Sequence, residues 1–448
     1  MCKQEKISTI LVVHKTENEE NIYEIINSLS KTGELILVSE IKLNKEITDG
    51  LLTVVYNPGE LTAGLNEAVH LAKQPWIFYI ESDEKFENGQ IKDIDLKSGY
   101  SYYVKITSGK GEEEKVNYSV RIFPATDKKT DPFHGNVKPD LTDFIYKNKL
   151  KVEAAPFSFT KSGAFLNLEH TEALLDINPV VAMDYFWQAI IYAEKQKFYK
   201  AEKLFRRSLN SEYLLKFNHL AALNGLALSL LEQHRLDKAF EIADQSAELS
   251  ARQYTPWILM HKICWMQSDW MGAYQHLARY LEMRRYQTEA CFDIRLSESD
   301  ANYLLAEVSL YEGKYDHAFV HLEKFFELNN GDVSDEIPEK LFIYAAELKL
   351  KEKAKLYFNE IYTRHILEKP DEQVMSRMLE TLSLIENNGW NDFASTIYER
   401  MIAVYPGNHK ILQGWLTSLI RSNQLQKAKV LMENIKKKKP VHVAPVIE

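Results

Sequence analysis

The chain has 448 residues, 45% of them hydrophobic and 27% charged, with a formal charge of −9 at pH 7. That length exceeds what one hydrophobic core organises and predicts two or three domains. The acidic balance, spread along the sequence, gives no encouragement to a nucleic-acid reading, since phosphates demand basic surface.

Three cysteines, Cys2, Cys264 and Cys291, stand in no metal-ligand spacing and predict a reducing cytoplasm. The early apolar run Ile10 to Val13 is too short for a signal peptide, and no stretch approaches the roughly 18 apolar residues of a bilayer span. The basic block Lys436 to Lys439 reads as the solvated end of a last helix.

Taken in order, the β-branched run Ile7 to Val13 predicts a buried strand, and the spacing of Ile22, Ile25, Ile26 and Leu29 predicts a helix over 21–29. Strands are expected at Glu34 to Val38 and Leu51 to Tyr56, then a break at Asn57-Pro58-Gly59 and a helix over Leu61 to Leu71. The apolar run Trp76-Ile-Phe-Tyr-Ile80 then stops abruptly at Glu81-Ser82-Asp83-Glu84. Alternating strands and helices imply a largely parallel sheet covered on both faces, with ligands received at the carboxyl ends of its strands. Glu81 and Asp83, one residue apart on an extended end, point the same way and could share one divalent cation, Mg²⁺ or Mn²⁺ by their oxygen chemistry. Tyr100 to Thr107 and Lys115 to Phe123 alternate in period two and predict a hairpin. A helix over Leu141 to Lys151 and a strand over Val152 to Phe159 complete the domain, which ends at Thr160-Lys161-Ser162-Gly163.

This succession, with Asn18-Glu19, Asn57-Pro58-Gly59, Leu65-Asn66 and Trp76 to Glu84 in that order, resembles the GT-A domain of family-2 glycosyltransferases. Val120-Arg121-Ile122-Phe123 and Phe133-His134-Gly135-Asn136-Val137 resemble more narrowly the bacterial members with C-terminal tetratricopeptide repeats, among them the peptide S-glycosyltransferases of the sublancin type. The resemblance implies that Glu81 and Asp83 hold Mg or Mn on the diphosphate of a nucleotide sugar, with Asp83 the direct ligand. It places Glu19, Glu40, Asn66 and Lys138 around that donor. An inverting transferase also needs a carboxylate base near its acceptor, and Asp140 and Glu84 are both available by position. Three positions depart from the family: Ser39 where a base-recognising Asp is usual, Leu65 where an Arg is common, and Lys138 where a His is frequent. They motivate a second reading, a non-catalytic adaptor that has kept the fold and lost the chemistry.

From Leu166 onward strand signals give way to helical periodicity. Small residues recur at Ala201, Ala239, Ala273, Ala318, Ala354, Ala394 and Ala428, 34 to 45 residues apart, close to the tetratricopeptide period of about 34. Four residues after each stand Phe205, Ala243, Leu277, Leu322, Phe358, Tyr398 and Met432. About seven stacked helical hairpins over 164–440 are therefore expected, with a tail over 441–448. Trp257, Trp265, Trp270 and Trp390 read as packing residues, and the insertion Arg285 to Ser299 as a contact segment or an idle loop. The fold class expected is α/β plus all-α, a GT-A-like mixed sheet followed by a tetratricopeptide-like α-solenoid. The partners expected are a peptide or protein acceptor and a homodimer through the repeats, with neither nucleic acid nor membrane.

Overall fold

Strand β1, Ile7–Val13, is buried at all seven positions, as a β-branched run covered on both faces must be. It belongs to a computed structural model describing residues 7–13, 19–29, 34–39, 43, 51–55, 60–88, 91, 94–109, 114–125, 130–135, 138–162, 174–211, 213–334, 336–363 and 372–436. Glu40, Asn57-Pro58-Gly59, Asn136-Val137 and the tail 441–448 lie outside the described residues, as does the side chain of Glu19.

The other strands are β2 (Glu34–Ser39), β3 (Leu52–Val55), β4 (Trp76–Glu81), β5 (Glu84–Asn88), β6 (Tyr100–Ser108), β7 (Lys115–Pro124) and β8 (Lys151–Lys161). They form one sheet in the order β3-β2-β1-β4-β7-β6-β8-β5. β3, β2, β1 and β4 run parallel, while β7 joins β4 antiparallel. The sheet is therefore mixed, and its parallel half is the part that alternates with helices in sequence. The expected hairpin is β6–β7. The sequence pattern missed β5, a polar strand whose only described pairing is with the end of β8.

Helix α1 (Glu19–Leu29) covers one face, where Ile22, Ile26 and Leu29 meet Ile7, Leu11 and Val13. Helices α2 (Leu61–Leu71) and α3 (Thr142–Lys147) cover the other, joining Leu65, Val69 and Phe144 to Ile10 and Val12. Period-two alternation along β1 thus feeds two cores. The helix expected over 141–151 is shorter than predicted, because β8 begins at Lys151.

The chain forms two compact units, Met1–Leu296 and Ser297–Glu448. In the first, the sheet is followed by the hairpins α4/α5 (Ala182–Glu194, Phe198–Leu209), α6/α7 (Lys216–Leu231, Leu236–Leu249) and α8/α9 (Thr255–Met266, Trp270–Met283). The second unit holds α10/α11 (Glu298–Tyr311, Tyr315–Leu328), α12/α13 (Glu336–Glu347, Lys351–Ile361), α14/α15 (Glu372–Asn387, Asn391–Val404) and α16/α17 (His409–Arg421, Leu425–Lys436). The change from sheet to helices thus falls inside the first unit.

The repeat markers are where two helices touch. Ala201, Ala239, Ala273, Ala318, Ala354 and Ala394 are wholly buried, and Ala428 nearly so. Four residues on, Phe205, Leu277, Leu322, Phe358 and Tyr398 fill the hairpins. Met432, on the last described helix, is 41% exposed. Gly225 and Gly414 let the facing helices approach: a Cβ there would lie 2.3 Å from the Phe205 and Tyr398 rings respectively.

The insertion after α9 is a tie within the first unit. Asp293 accepts from the backbone N–H of Tyr254 and Thr255 and from the Thr255 hydroxyl, capping the start of α8. Cys291 N–H donates to the Phe217 carbonyl of α6, and Phe292 N–H to the Val116 carbonyl of β7. One short segment therefore fastens two helical hairpins to the sheet.

Candidate functional site

In an open α/β sheet the crevice lies where the chain leaves one strand and re-enters on its other side. β1 has β2 on one flank and β4 on the other, so that point is the carboxyl end of β1 and β4, where Glu81 is opposite Val12. Ser82 N–H donates to the Val12 carbonyl, and the chain turns through Asp83 into β5. β5 pairs with the end of β8, Glu84 opposite Lys161, and Ser162 N–H donates to the Asp83 carbonyl at 2.9 Å. Three acids where β4 turns into β5 are thereby faced by a lysine 77 or more positions away in sequence.

Glu81 and Asp83 do point the same way and do converge on one cation, which is the ammonium of Lys161. Its Nζ lies 2.7 Å from Glu81 Oε2 and 2.7 Å from Asp83 Oδ2, with the lysine side chain 7% exposed. Burial works against that charge, but Glu81, Glu84 and Asp83 outweigh it and hold the ammonium above the ordinary lysine range. Arg121, on β7, gives its Nη2 to Glu84 Oε1 and, at 3.4 Å, to Glu81 Oε1. Its guanidinium lies over the Tyr79 ring with Cζ 4.2 Å from the centre, a cation–π contact for a face that has few hydrogen-bond acceptors.

Glu84 is 2% exposed, and its second oxygen accepts from Glu81 N–H at 3.1 Å. Burial pushes its carboxyl up to about 7, with Arg121 pulling the other way and Glu81 adding to the rise. It is an enclosed structural acid here, with both oxygens engaged. Asp140 lies apart from this cluster, in the turn before α3, where it accepts from Thr142 N–H at 2.9 Å and the Thr142 hydroxyl at 3.0 Å. Burial pushes its carboxyl up to about 6 against the pull of those bonds.

Lys138 sits with its Nζ 4.7 Å over the Trp187 ring of α4. Burial lowers its pKa, Glu81 pulls it back, and Lys161 and Arg121 add to the fall. Asn66 is buried and exchanges two hydrogen bonds with the backbone of Phe133, while Thr62 donates to the Gly135 carbonyl. The segment around His134 is thus docked on α2, and His134 itself bridges to Asp140 through the backbone. Sequence reasoning missed Arg121 and Lys161. The first had a signal, a lone arginine inside an apolar alternating strand, which folds only with a buried counter-ion.

A second concavity, of about 880 Å³, opens between the sheet and α6. Its wall is the mutually packed trio Tyr103, Tyr118 and Phe217, with ring centres 5.5–5.6 Å apart. Its floor is β8, where Ala155, Pro156 and Phe157 bulge between the pairs Tyr103–Ala154 and Lys105–Ser158. At the rim, Lys216 and Arg252 flank Glu289 at 2.7 and 3.6 Å and remain largely exposed.

No protein-family model and no curated protein matches the chain. Among solved structures it is similar to Naa15/Naa10 bound to HypK-THB, at 14% identity over 58% of this chain and 37% of that one, with a TM-score of 0.42. It is also similar to YrrB, described as a TPR protein with an unusual peptide-binding site, at 16% identity over 43% of this chain and 89% of that one, TM-score 0.30. A tetratricopeptide repeat protein from Parabacteroides merdae matches at 12% over 57% of this chain and 92% of that one, TM-score 0.34. The chain spans little more than a third of the first of these. At such identities and TM-scores the likeness says nothing about activity. No helix among the described residues is long and apolar enough to cross a membrane.

Proposed function

We propose that the chain is a protein-binding scaffold that seats a peptide segment in the groove between its sheet and α6. The groove itself carries this reading: about 880 Å³, within the range of ligand sites, with an aromatic wall and polar side chains among the residues that line it. Lys105, Lys216 and Arg252 line it against Glu87 and Glu289, so the segment it fits has an apolar side chain and an acidic neighbour. A peptide array probed with the whole protein tests this. Peptides retained by wild type and lost on Lys216→Glu with Arg252→Glu support it; retention indifferent to both changes, or no retention, sinks it.

The transfer reading keeps one specific support. Asp140, with a carboxyl near 6, has the basicity wanted of a general base near neutral pH. In that reading Glu81 and Asp83 hold Mg or Mn, Glu19, Glu40, Asn66 and Lys138 surround a nucleotide-diphosphate sugar, and Asp140 meets the peptide or protein acceptor of a family-2 glycosyltransferase of the sublancin type. The salt bridges of Lys161 weigh against it. A nucleoside diphosphate with Mn²⁺ that raises the melting temperature would favour transfer over scaffolding, since only a ligand of the native state does so. A cytoplasmic location and a dimer through the repeats belong to both readings, and sedimentation showing monomer alone would remove the dimer.

A further inference from the structure

We propose that Lys161 is the resident cation of the β4 end, so that this site operates without a divalent metal. The inference stands apart from the groove and is tested without any peptide. A metal held by Glu81 and Asp83 would lie within about 2.0–2.6 Å of their oxygens. That seat is taken. Lys161 Nζ is 2.7 Å from Glu81 Oε2 and sits across both Asp83 oxygens, at 2.8 and 2.7 Å. The remaining Glu81 oxygen faces Arg121 Nη2 at 3.4 Å, so each of the four oxygens of the pair already has a cation beside it. Glu84 adds no free ligand, since Arg121 and Glu81 N–H take its two oxygens. Among the described residues no group of three His, Cys, Asp or Glu side chains is arranged to hold a metal.

The chain delivers this ammonium by strand pairing rather than by a flexible loop. Lys161 is opposite Glu84 in the β5–β8 ladder, and the next residue, Ser162, is bonded twice to the Asp83 carbonyl. An entering Mg²⁺ or Mn²⁺ therefore competes with a tethered cation at high effective concentration, and must expel it from a seat where the lysine is 7% exposed. The fold retains the acids that resemble a metal motif and meets their charge internally.

The test uses the full chain, stripped with EDTA and titrated with Mn²⁺ alone by calorimetry and by electron paramagnetic resonance of free Mn²⁺. Wild type is expected to show no binding that depends on Asp83, so that Asp83→Asn changes nothing. Lys161→Met, which keeps the stem and removes the charge, is expected to bind Mn²⁺ at least tenfold more tightly than wild type and to lose it when Asp83→Asn is added. Wild-type binding abolished by Asp83→Asn overturns the proposal, and so does a folded Lys161→Met that binds no better than wild type. Where Lys161→Met does not fold, the wild-type and Asp83→Asn comparison decides.

Discussion

Asn66 and Phe133 bond to each other twice: Asn66 Nδ2 donates to the Phe133 carbonyl at 3.0 Å, and Phe133 N–H donates to Asn66 Oδ1 at 2.9 Å. The amide of one side chain thus acts as a strand partner for a buried backbone, and only an amide offers a donor and an acceptor in that arrangement. Asn66→Ala leaves two buried backbone groups unpaired and is expected to cost about 2–6 kcal/mol, at about 1–3 for each unmet group. Asn66→Asp should destabilise as well, because a carboxylate can meet the N–H but opposes the carbonyl. Urea denaturation checks both. Equal stability of Asn66→Ala and wild type would leave this residue free for a ligand.

Arg121 is the second organiser of the strand end. With its side chain 3% exposed and that of Glu84 1% exposed, neither charge tolerates the loss of the other. Arg121→Met is expected to destabilise the first unit by about 3–5 kcal/mol, the usual cost of stranding one member of a buried pair. Adding Glu84→Gln should restore much of that loss, since the stranded charge goes with it. A double-mutant cycle followed by urea denaturation reads the coupling directly. Additive single effects would mean that Arg121 matters for its packing on Tyr79 alone.

How much of this was legible follows from which interactions are local. The parallel strands and repeat markers are written in short-range patterns: β1 runs as predicted from Ile7 to Val13, and six of the seven marker alanines are wholly buried. The acids closing β4 were legible too, as was their shared direction. What faces them was not, because Lys161 reaches them through the β5–β8 pairing and nothing near Glu81 in sequence signals it. β5 itself, Glu-Lys-Phe-Glu-Asn, has no apolar alternation and is a strand because β8 offers it an edge. The groove was equally hidden, since its aromatic trio joins β6, β7 and α6.

Asp140 gives a pH dependence whose sign can be worked out. Its folded carboxyl lies near 6, above the ordinary aspartate value of 3.8, so between those values the folded chain binds more proton than the unfolded one. Stability from this group is fully present below about pH 3.8 and is lost as pH rises through 6. Asp140→Asn removes the titration, although it also weakens the bonds from Thr142 by a pH-independent amount. Wild type is therefore expected to lose stability relative to Asp140→Asn from pH 4 to pH 7. Differencing the two proteins cancels the buried His261 and the half-buried His219, His276 and His321, whose lowered pKa values act in the opposite sense. A stability difference constant across that range would show that the Asp140 carboxyl titrates as it does in the unfolded chain.

Gly225 and Gly414 separate helix propensity from packing. Both sit inside helices, where glycine to alanine ordinarily stabilises by about 0.5–1 kcal/mol. Both also face the residue four positions after a repeat marker, Phe205 and Tyr398, at a distance that leaves no room for a methyl group. Overpacking a filled interface costs about 1–3 kcal/mol, which exceeds the propensity gain. Gly225→Ala and Gly414→Ala are therefore expected to lower stability, each in its own unit, and pairing them with Phe205→Leu and Tyr398→Leu should return part of the loss by vacating the ring. Because the two sites lie in different compact units, their effects should add. A stabilised Gly225→Ala would mean that α5 and α6 can move apart at little cost, and that the marker-plus-four ring is a loose filler rather than the residue that sets the spacing between successive hairpins.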